Sequence, residues 1–451
     1  MILAANMAVV FGTLSLLLAS IHLHRQGAPS ITLAFLFLYF GILVIPGLLV
    51  ADQYSGANSV LRQVSTEGFI VGKFLAATAL LGFSFTIFLV GAIFRQGFRQ
   101  INFLAPVSNI RIRIFNYVGL GIPVVVAVIA IMLEGFPQAM LFSTFTPSEL
   151  LSTRTSIHNQ LVLPSFIFRG LGEDLAVFTS FSIAAQYASP KAECRPTSIL
   201  RLASLIVALY FLTHNLAKSP AAIYFVFYCL LYVTDRNYEQ GKKSSFRAIV
   251  AACIGASSLL IFFTMLVYQS GSFSFLLSEI SKRIFLSQIS PYFFVAEMYA
   301  NNHISNFWTG SNQNLTSLIH LPGFAKTHIS QVLTSYLFSE AWSAGTMNHL
   351  STFFLSDLLI VLREYWFIAT FLIFVNVGIG IWSWQVIRPK WFGIAFCAFV
   401  LHASNIASAA APMILSSRVV FLILVILTIW GLLHILPYKN RCQDHISPSN
   451  I

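Results

Sequence analysis

The sequence predicts an all-α polytopic membrane protein, folded as a single membrane domain over residues 1–451. Of the 451 residues, 57% are hydrophobic and only 9% are charged, and the mean hydropathy is +0.79. Such a composition suits lipid rather than water as the surrounding solvent. The apolar residues also fall into about eleven runs of about 20 residues, the length that a helix needs to cross the hydrocarbon core. Helices are expected because each backbone amide in lipid must bond within its own segment.

The predicted spans are centred near residues 12, 41, 82, 124, 178, 207, 226, 258, 374, 402 and 428. The first begins without a basic region and has no convincing cleavage site, which predicts a retained helix rather than a signal peptide. The fifth is the weakest of the set. Gly378 and Gly380 lie in the ninth, where small residues typically allow two helices to pack closely.

The distribution of Lys and Arg over the loops predicts the orientation of the chain in the membrane. Sixteen of the 26 Lys and Arg residues fall on alternate loops, which are therefore expected to be cytoplasmic: Arg25, Arg95, Arg99, Arg111, Arg113, Lys191, Arg195, Arg201, Arg236, Lys242, Lys243, Arg247, Arg388, Lys390, Lys439 and Arg441. This pattern places the N-terminus outside and the C-terminus inside. The cations are spread over short loops that face anionic membrane lipids, and no basic domain is present, so no nucleic-acid partner is predicted.

Two longer stretches remain outside, residues 134–174 and residues 269–352. In the second, Ile329, Val332, Leu333, Tyr336 and Leu337 have helical spacing and predict an apolar stripe on a short surface helix. We therefore expect this large loop to be helical and to cover the outer ends of the spans. Such a cover would form a cleft open to lipid on one side and to water on the other.

Four outer cations are candidates for anion binding. Arg154 could be a solvated loop residue, Lys218 a headgroup anchor in a tight turn, and Arg283 an ion-pair partner of Glu279. Arg418 opens the last span on the side that membrane topology biases against arginine. Together they suit a phosphate or pyrophosphate held by charge-assisted hydrogen bonds.

Other cations have a simpler interpretation. Lys73, Arg169 and Lys326 are predicted to be anchors at the membrane interface. The outer histidines include no His-x-x-x-His pair, so neither a metal nor another cofactor is expected. One residue among Glu297, His320, His349 and Asp357 could act as a general base, and the sequence gives no geometry that would choose between them.

Several short motifs give a family resemblance. The segment Ser416-Ser417-Arg418-Val419-Val420-Phe421 is similar to the Ser-Arg-Val-Val-Phe segment of the bacterial oligosaccharide repeat-unit polymerases, of the O-antigen and enterobacterial common antigen type. Further matches follow in the same order along the chain, at residues 149–154, around Lys218, at residues 282–285 and at residues 346–357. One departure is Lys218, where members of the family often have arginine. Lysine keeps the charge but loses the bidentate geometry.

This resemblance implies a GT-C-like, metal-independent, inverting glycosyltransferase of the bacterial inner membrane. Its substrate would be an oligosaccharide repeat unit on undecaprenyl pyrophosphate, polymerised at the periplasmic face, and a polysaccharide chain-length regulator would be a partner. The N-terminus would be periplasmic and the C-terminus cytoplasmic. Arg154, Arg283 and Arg418, helped by Lys218, would stabilise the departing pyrophosphate.

Two alternatives remain open. An O-antigen ligase would use the same lipid-linked donor and deliver the glycan to the lipid A core. A glycolipid transporter or flippase belongs to another class, and coupled transport usually needs ionisable groups at mid-depth in the membrane. Asp and Glu are nearly absent from the span centres of this sequence, which favours the enzyme.

Overall fold

The protein is represented by a computed structural model that describes residues 1–56, 58–97, 101–102, 109–137, 153, 157, 162–164, 166–189, 195–214, 219–239, 254–255, 258, 286, 289–303, 329–343, 353–404 and 417–435. Most of the predicted span near residue 258, and most of the two long stretches at 134–174 and 269–352, lie outside these ranges.

The helices of the described ranges are, in chain order, α1 (Ile2–Arg25), α2 (Ser30–Tyr54), α3 (Thr66–Gly97), α4 (Asn109–Glu134), α5 (Leu175–Ala188), α6 (Ser198–Thr213), α7 (Ser219–Glu239), α8 (Ser290–Ala300), α9 (Ile329–Leu337), α10 (Ser339–Ser343), α11 (Phe354–Leu362), α12 (Trp366–Val386), α13 (Lys390–Ala403) and α14 (Ser417–Ile435). Short 3₁₀ turns cover Leu61–Gln63 and Arg363–Tyr365. A π-helical stretch, the Phe166–Asp174 segment, leads directly into α5. The strands β1 (Ile101–Asn102) and β2 (Ile387–Arg388) form one parallel pair.

Within the described ranges, five helical stretches are long and apolar enough to cross a membrane: α1, α2, most of α3, α4, and the combined stretch Phe354–Val386. They match the spans predicted near residues 12, 41, 82, 124 and 374. Shorter apolar helices occur near residues 207, 226, 402 and 428. The described residues thus form an all-α membrane protein, and the predicted total of about eleven spans stays a prediction.

The outer surface of the bundle is apolar. In α1, Leu3, Phe11 and Leu18 are exposed, whereas the small residues Ala5 and Ala19 are completely buried. Helices that associate in lipid place small residues where their backbones meet and leave large apolar side chains to face the acyl chains. This distribution is the reverse of that in a water-soluble protein, and it agrees with the composition.

α5 lies at the centre of the bundle, which explains why its span is the weakest in the sequence. All of its residues except Tyr187 are buried, and it packs against α4, α6, α7 and α13. Two of its polar residues bond to α4: Gln186 accepts from Asn116 at 2.7 Å, and Thr179 donates to the Gly119 carbonyl at 3.1 Å. A helix surrounded by protein can carry such groups because neighbours satisfy them.

The two glycines of α12 allow close packing, as predicted. A Cβ on Gly378 would lie 3.1 Å from Val90 Cγ2 of α3, and one on Gly380 would lie 2.5 Å from Val400 Cγ1 of α13. One turn further on, Trp382 is fully buried and donates its indole N–H to the Ile87 carbonyl at 2.9 Å. α12 is therefore fixed between α3 and α13.

The bundle has two distinct ends. β1 follows α3 and β2 follows α12, so their pairing brings the connections α3–α4 and α12–α13 to the same end. Arg95 lies at this end, 3.2 Å from His22 Nε2 and 5.6 Å from the Trp382 ring centroid. We call it the Arg95 end. α4 runs away from it and finishes at Glu134, at the opposite end, which we call the His214 end.

Part of the long 269–352 stretch is helical, as expected. α8 packs against α3 and α11, and its residues from Ser290 to Ala296 are buried. The surface helix predicted from the apolar stripe is present as α9. Leu333 is buried within it, but Tyr336 is 56% exposed and its ring centroid lies 5.9 Å from that of Phe294. The buried stripe of α9 is thus narrower than the spacing of its apolar residues predicts.

Candidate functional site

The structure describes only some of the predicted site residues. Arg154, Lys218, Arg283, His320 and His349 lie outside the described residues. Arg418 is in the first turn of α14, although its side chain is not among those described. Glu297 and Asp357 are described completely, and their surroundings can be examined.

Glu297 accepts capping hydrogen bonds at the N-terminus of α3. Its Oε2 accepts hydrogen bonds from the Ser65 amide at 3.0 Å and from the Ser65 hydroxyl at 2.6 Å, and its Oε1 accepts from Asn301 Nδ2 at 2.8 Å. The Ser65 hydroxyl oxygen in turn accepts from the Gly68 amide at 3.1 Å.

This arrangement is a capping box supplied by two helices. In the usual box, a Glu three residues after the capping Ser reaches back to the amide of that Ser. Here that position is Gly68, where a Cβ would overlap Glu297 Oε2, and the carboxylate comes from α8 instead. Glu297 therefore has a structural role that anchors the outer stretch on α3.

Asp357 lies in the first turn of α11 and is 4% exposed. A carboxylate in a first turn interacts favourably with the positive end of the helix dipole. α11 packs against α8, so Asp357 and Glu297 belong to neighbouring helices. Neither residue's role as a general base is tested by these contacts, and both stay predictions.

Glu134 and His214 form a buried pair at the His214 end. Glu134 Oε2 lies 3.2 Å from His214 Nε2, at an angle outside hydrogen-bond geometry, and the side chains are 10% and 2% exposed. Glu134 Oε1 accepts from the Val162 amide at 2.8 Å. Burial lowers the pKa of His214 below its ordinary value of 6.5, and the Glu134 and Glu173 carboxylates oppose part of this change.

The Phe166–Asp174 segment connects this pair with α14. The Phe168 ring centroid lies 4.5 Å from that of His214 and 5.1 Å from that of Phe211 in α6. On the same segment, a Cβ at Gly170 would overlap the ring of Phe421. The ends of α4, α6 and α14 therefore meet around one short segment.

Three of the four candidate anion-binding cations lie, in the sequence, at the helix ends of this meeting point or in the segments that directly follow them. The Glu134–Val162 hydrogen bond joins the two ends of the stretch that contains Arg154. Lys218 is four residues after His214 in the sequence and directly precedes α7, and Arg418 is three residues before Phe421. Arg283 differs, because it precedes α8, which packs on α3 and α11 rather than on the Phe166–Asp174 segment.

An apolar cavity of about 580 Å³ lies between α4, α14 and the Phe166–Asp174 segment. Its lining consists of Ile114, Val118, Ile122, Leu171, Phe421, Leu424, Val425, Thr428, Ile429 and Leu432. The one hydroxyl, that of Thr428, donates to the Leu424 carbonyl of its own helix. Because Leu171 and Phe421 line it, the cavity reaches the meeting point of the three helix ends.

The interfacial-anchor prediction for Lys73 is wrong. Its side chain has no exposure, and its Nζ donates to Asp52 Oδ1 at 2.6 Å and to Asn6 Oδ1 at 2.7 Å. The sequence does not reveal this pair, because Asp52 reaches Lys73 only when α2 folds beside α3. A buried cation must be paired, and here the pairing ties α1, α2 and α3 together.

The Glu134–His214 pair is also not apparent from the sequence. Each residue ends a predicted span on the same side, and this shared side is the only signal that could have suggested a contact. Among the described residues, no group of three His, Cys, Asp or Glu side chains could hold a metal ion.

Comparison with known proteins gives no further assignment. The chain matches no protein-family model, no curated protein and no solved structure.

Proposed function

We propose that this protein is a membrane glycosyltransferase that polymerises oligosaccharide repeat units carried on undecaprenyl pyrophosphate. Transfer takes place at the periplasmic face of a bacterial inner membrane, which is the His214 end of the bundle. The observation that supports the proposal is the meeting of the ends of α4, α6 and α14 beside an apolar cavity, because Arg154, Lys218 and Arg418 follow or begin these helices in the sequence. A lipid-linked pyrophosphate needs this combination, an apolar surface for the lipid chain and positive charge for the anion.

The chemistry is a single displacement. The hydroxyl oxygen of the acceptor sugar bonds to the anomeric carbon of the donor sugar, and the bond from that carbon to the pyrophosphate oxygen breaks. The pyrophosphate leaves with the electron pair on its lipid carrier, and Arg154, Lys218, Arg283 and Arg418 stabilise the charge that develops there. The anomeric configuration inverts. The proton of the attacking hydroxyl goes to a protein base.

Arg283 belongs to this site only if residues 269–289 bring it towards the Phe166–Asp174 segment. Arg283 precedes α8, which packs on α3 and α11. We therefore assign Arg418, Lys218 and Arg154 to this site first, and Arg283 after them.

Purified protein provides the direct test. In detergent, with undecaprenyl-pyrophosphate-linked repeat units and a metal chelator, we expect products of two or more units, resolved by gel electrophoresis and mass spectrometry. Arg418→Ala should abolish elongation, and Lys326→Ala should retain it as a matched control. Elongation without a membrane excludes a pure transporter, whereas a wild-type protein that leaves the units single overturns the proposal.

A deletion strain separates polymerase from ligase. Loss of a polymerase leaves surface lipid capped with one repeat unit, whereas loss of a ligase leaves the glycan unattached. We expect the single-unit pattern. Unattached glycan would instead indicate that the same site belongs to an O-antigen ligase.

A further inference from the structure

We propose that His214, held by Glu134, is the base that accepts the proton of the attacking sugar hydroxyl. This inference deepens the proposed glycosyl transfer and rests on it. His214 is one of the outer histidines of the sequence, and the structure gives it a charged partner and a defined orientation.

The orientation assigns a different task to each imidazole nitrogen. Nε2 lies 3.2 Å from Glu134 Oε2, at an angle outside hydrogen-bond geometry, and the nearby carboxylate favours the tautomer that carries its hydrogen on Nε2. Nδ1 then has a lone pair and acts as an acceptor. Among the described residues, Nδ1 has no hydrogen-bond partner although it is buried.

A buried acceptor without a partner is unfavourable, and a substrate hydroxyl would satisfy it. As the hydroxyl oxygen attacks the anomeric carbon, its proton moves to Nδ1. The imidazolium that results is stabilised by Glu134, as a carboxylate stabilises the histidine in nucleophile–histidine–carboxylate systems. Glu134 does not take the proton, and it acts as a positioning residue.

The surroundings keep His214 ready to accept a proton. Three titratable groups of the described residues face it from the elements packed around it: Glu134 of α4, Glu173 of the Phe166–Asp174 segment and Tyr210 of α6. Burial has the largest effect on His214 and favours the neutral imidazole. A base must be neutral before the reaction, so burial and function agree here.

The position fits the transfer. His214 contacts Phe168, whose segment contacts the first turns of α14 through Gly170 and Phe421. Arg418 precedes that contact by less than one helical turn. The proton acceptor therefore lies near the beginning of α14, the helix whose first turn contains Arg418. Glu297, by comparison, has three hydrogen-bond donors on its carboxylate and serves as a helix cap.

The test compares purified wild-type protein with His214→Gln, Glu134→Gln and the double variant, using lipid-linked repeat units in detergent. For His214→Gln we expect kcat to fall by about 100-fold or more with KM little changed, as for loss of a general base. Glu134→Gln should also lower kcat, and the double variant should be no slower than His214→Gln alone, because the two residues act as one unit. His22→Gln, a histidine beside Arg95 at the other end, is the matched control and should behave as the wild type.

A pH profile separates catalysis from a structural role. The wild-type kcat should decline as the pH falls below 6.5, while His214→Gln should lack this decline. Size-exclusion chromatography gives the folded fraction, to which each rate is normalised. Full elongation by folded His214→Gln, or an unchanged low-pH decline in that variant, overturns the inference and leaves the glycosyltransferase proposal intact. Absence of elongation by the wild type overturns both.

Discussion

Lys73 donates a hydrogen bond to Asp52 at 2.6 Å from a position with no solvent exposure, inside a helix long enough to cross the membrane. The contact joins the end of α2 to the first turns of α3, and Asn6 extends it to α1. Ion-coupled transporters often use ionisable groups within their spans. Here the partners of Lys73 come from the helices packed around it, which indicates a tether between helices.

Asp52→Ala should be strongly destabilising. It leaves the Lys73 ammonium buried with Asn6 as its remaining partner among the described residues, and breaking a buried ion pair from one side costs about 3–5 kcal/mol. Thermal unfolding of the purified protein in detergent measures the loss. Asp52→Asn combined with Lys73→Met should recover part of it, because no unpaired charge then remains. Glu67→Ala, at an exposed position in α3, the helix of Lys73, should change stability by no more than about 0.5 kcal/mol. Equal unfolding midpoints for Asp52→Ala and Glu67→Ala would contradict this.

Glu297 and Ser65 provide a test between a cap and a base. If the capping box is the role of Glu297, then Glu297→Gln and Ser65→Ala should each cost about 1 kcal/mol and retain most of the turnover. Unfolding midpoints and elongation rates measure the two effects separately. A fall in kcat of about 100-fold for Glu297→Gln alone, with Ser65→Ala normal, would restore Glu297 as the base.

Gly380→Ala should be destabilising, because its Cβ would lie 2.5 Å from Val400 Cγ1 and would separate α12 from α13. Overpacking of this kind costs about 1–3 kcal/mol. Gly121→Ala is the matched control: no atom lies within 4 Å of its added Cβ, and helix propensity favours alanine by up to about 1 kcal/mol. We expect the unfolding midpoint to fall in Gly380→Ala and to rise in Gly121→Ala. Equal shifts in the two variants would contradict the close packing of α12 on α13.

Filling the apolar cavity should weaken binding of long lipid chains. Val118→Trp places a large ring on the lining, so KM for an undecaprenyl-linked substrate should rise while KM for a short-chain analogue stays constant. Val125→Trp, on the same helix at a 58% exposed position outside the lining, is the control. The same rise in KM for both chain lengths would indicate that the cavity does not hold the lipid.

His214 should also make stability depend on pH. Its pKa in the folded protein is below 6.5, so the unfolded chain binds more protons and stability rises with pH. The contribution is complete above 6.5 and is lost as the pH falls below that value. Unfolding midpoints measured from pH 7.5 to 5 should thus decline less steeply in His214→Gln than in the wild type. Parallel declines would show that other groups cause the dependence.

The sequence predicted the membrane class, and in the described residues it located the long spans, the helix of residues 329–337 and the close packing at Gly378 and Gly380. These features depend on composition and on local periodicity, which a single segment carries by itself.

Tertiary structure decided which polar groups meet. Lys73 was expected at the interface and is buried beside Asp52, and Glu134 reaches His214 from a different helix. Glu297 supplies the carboxylate that Gly68 lacks. Such contacts join residues that are distant along the chain, and the hydropathy of each segment is the same whether or not they form. Only the packing of the helices brings their side chains together.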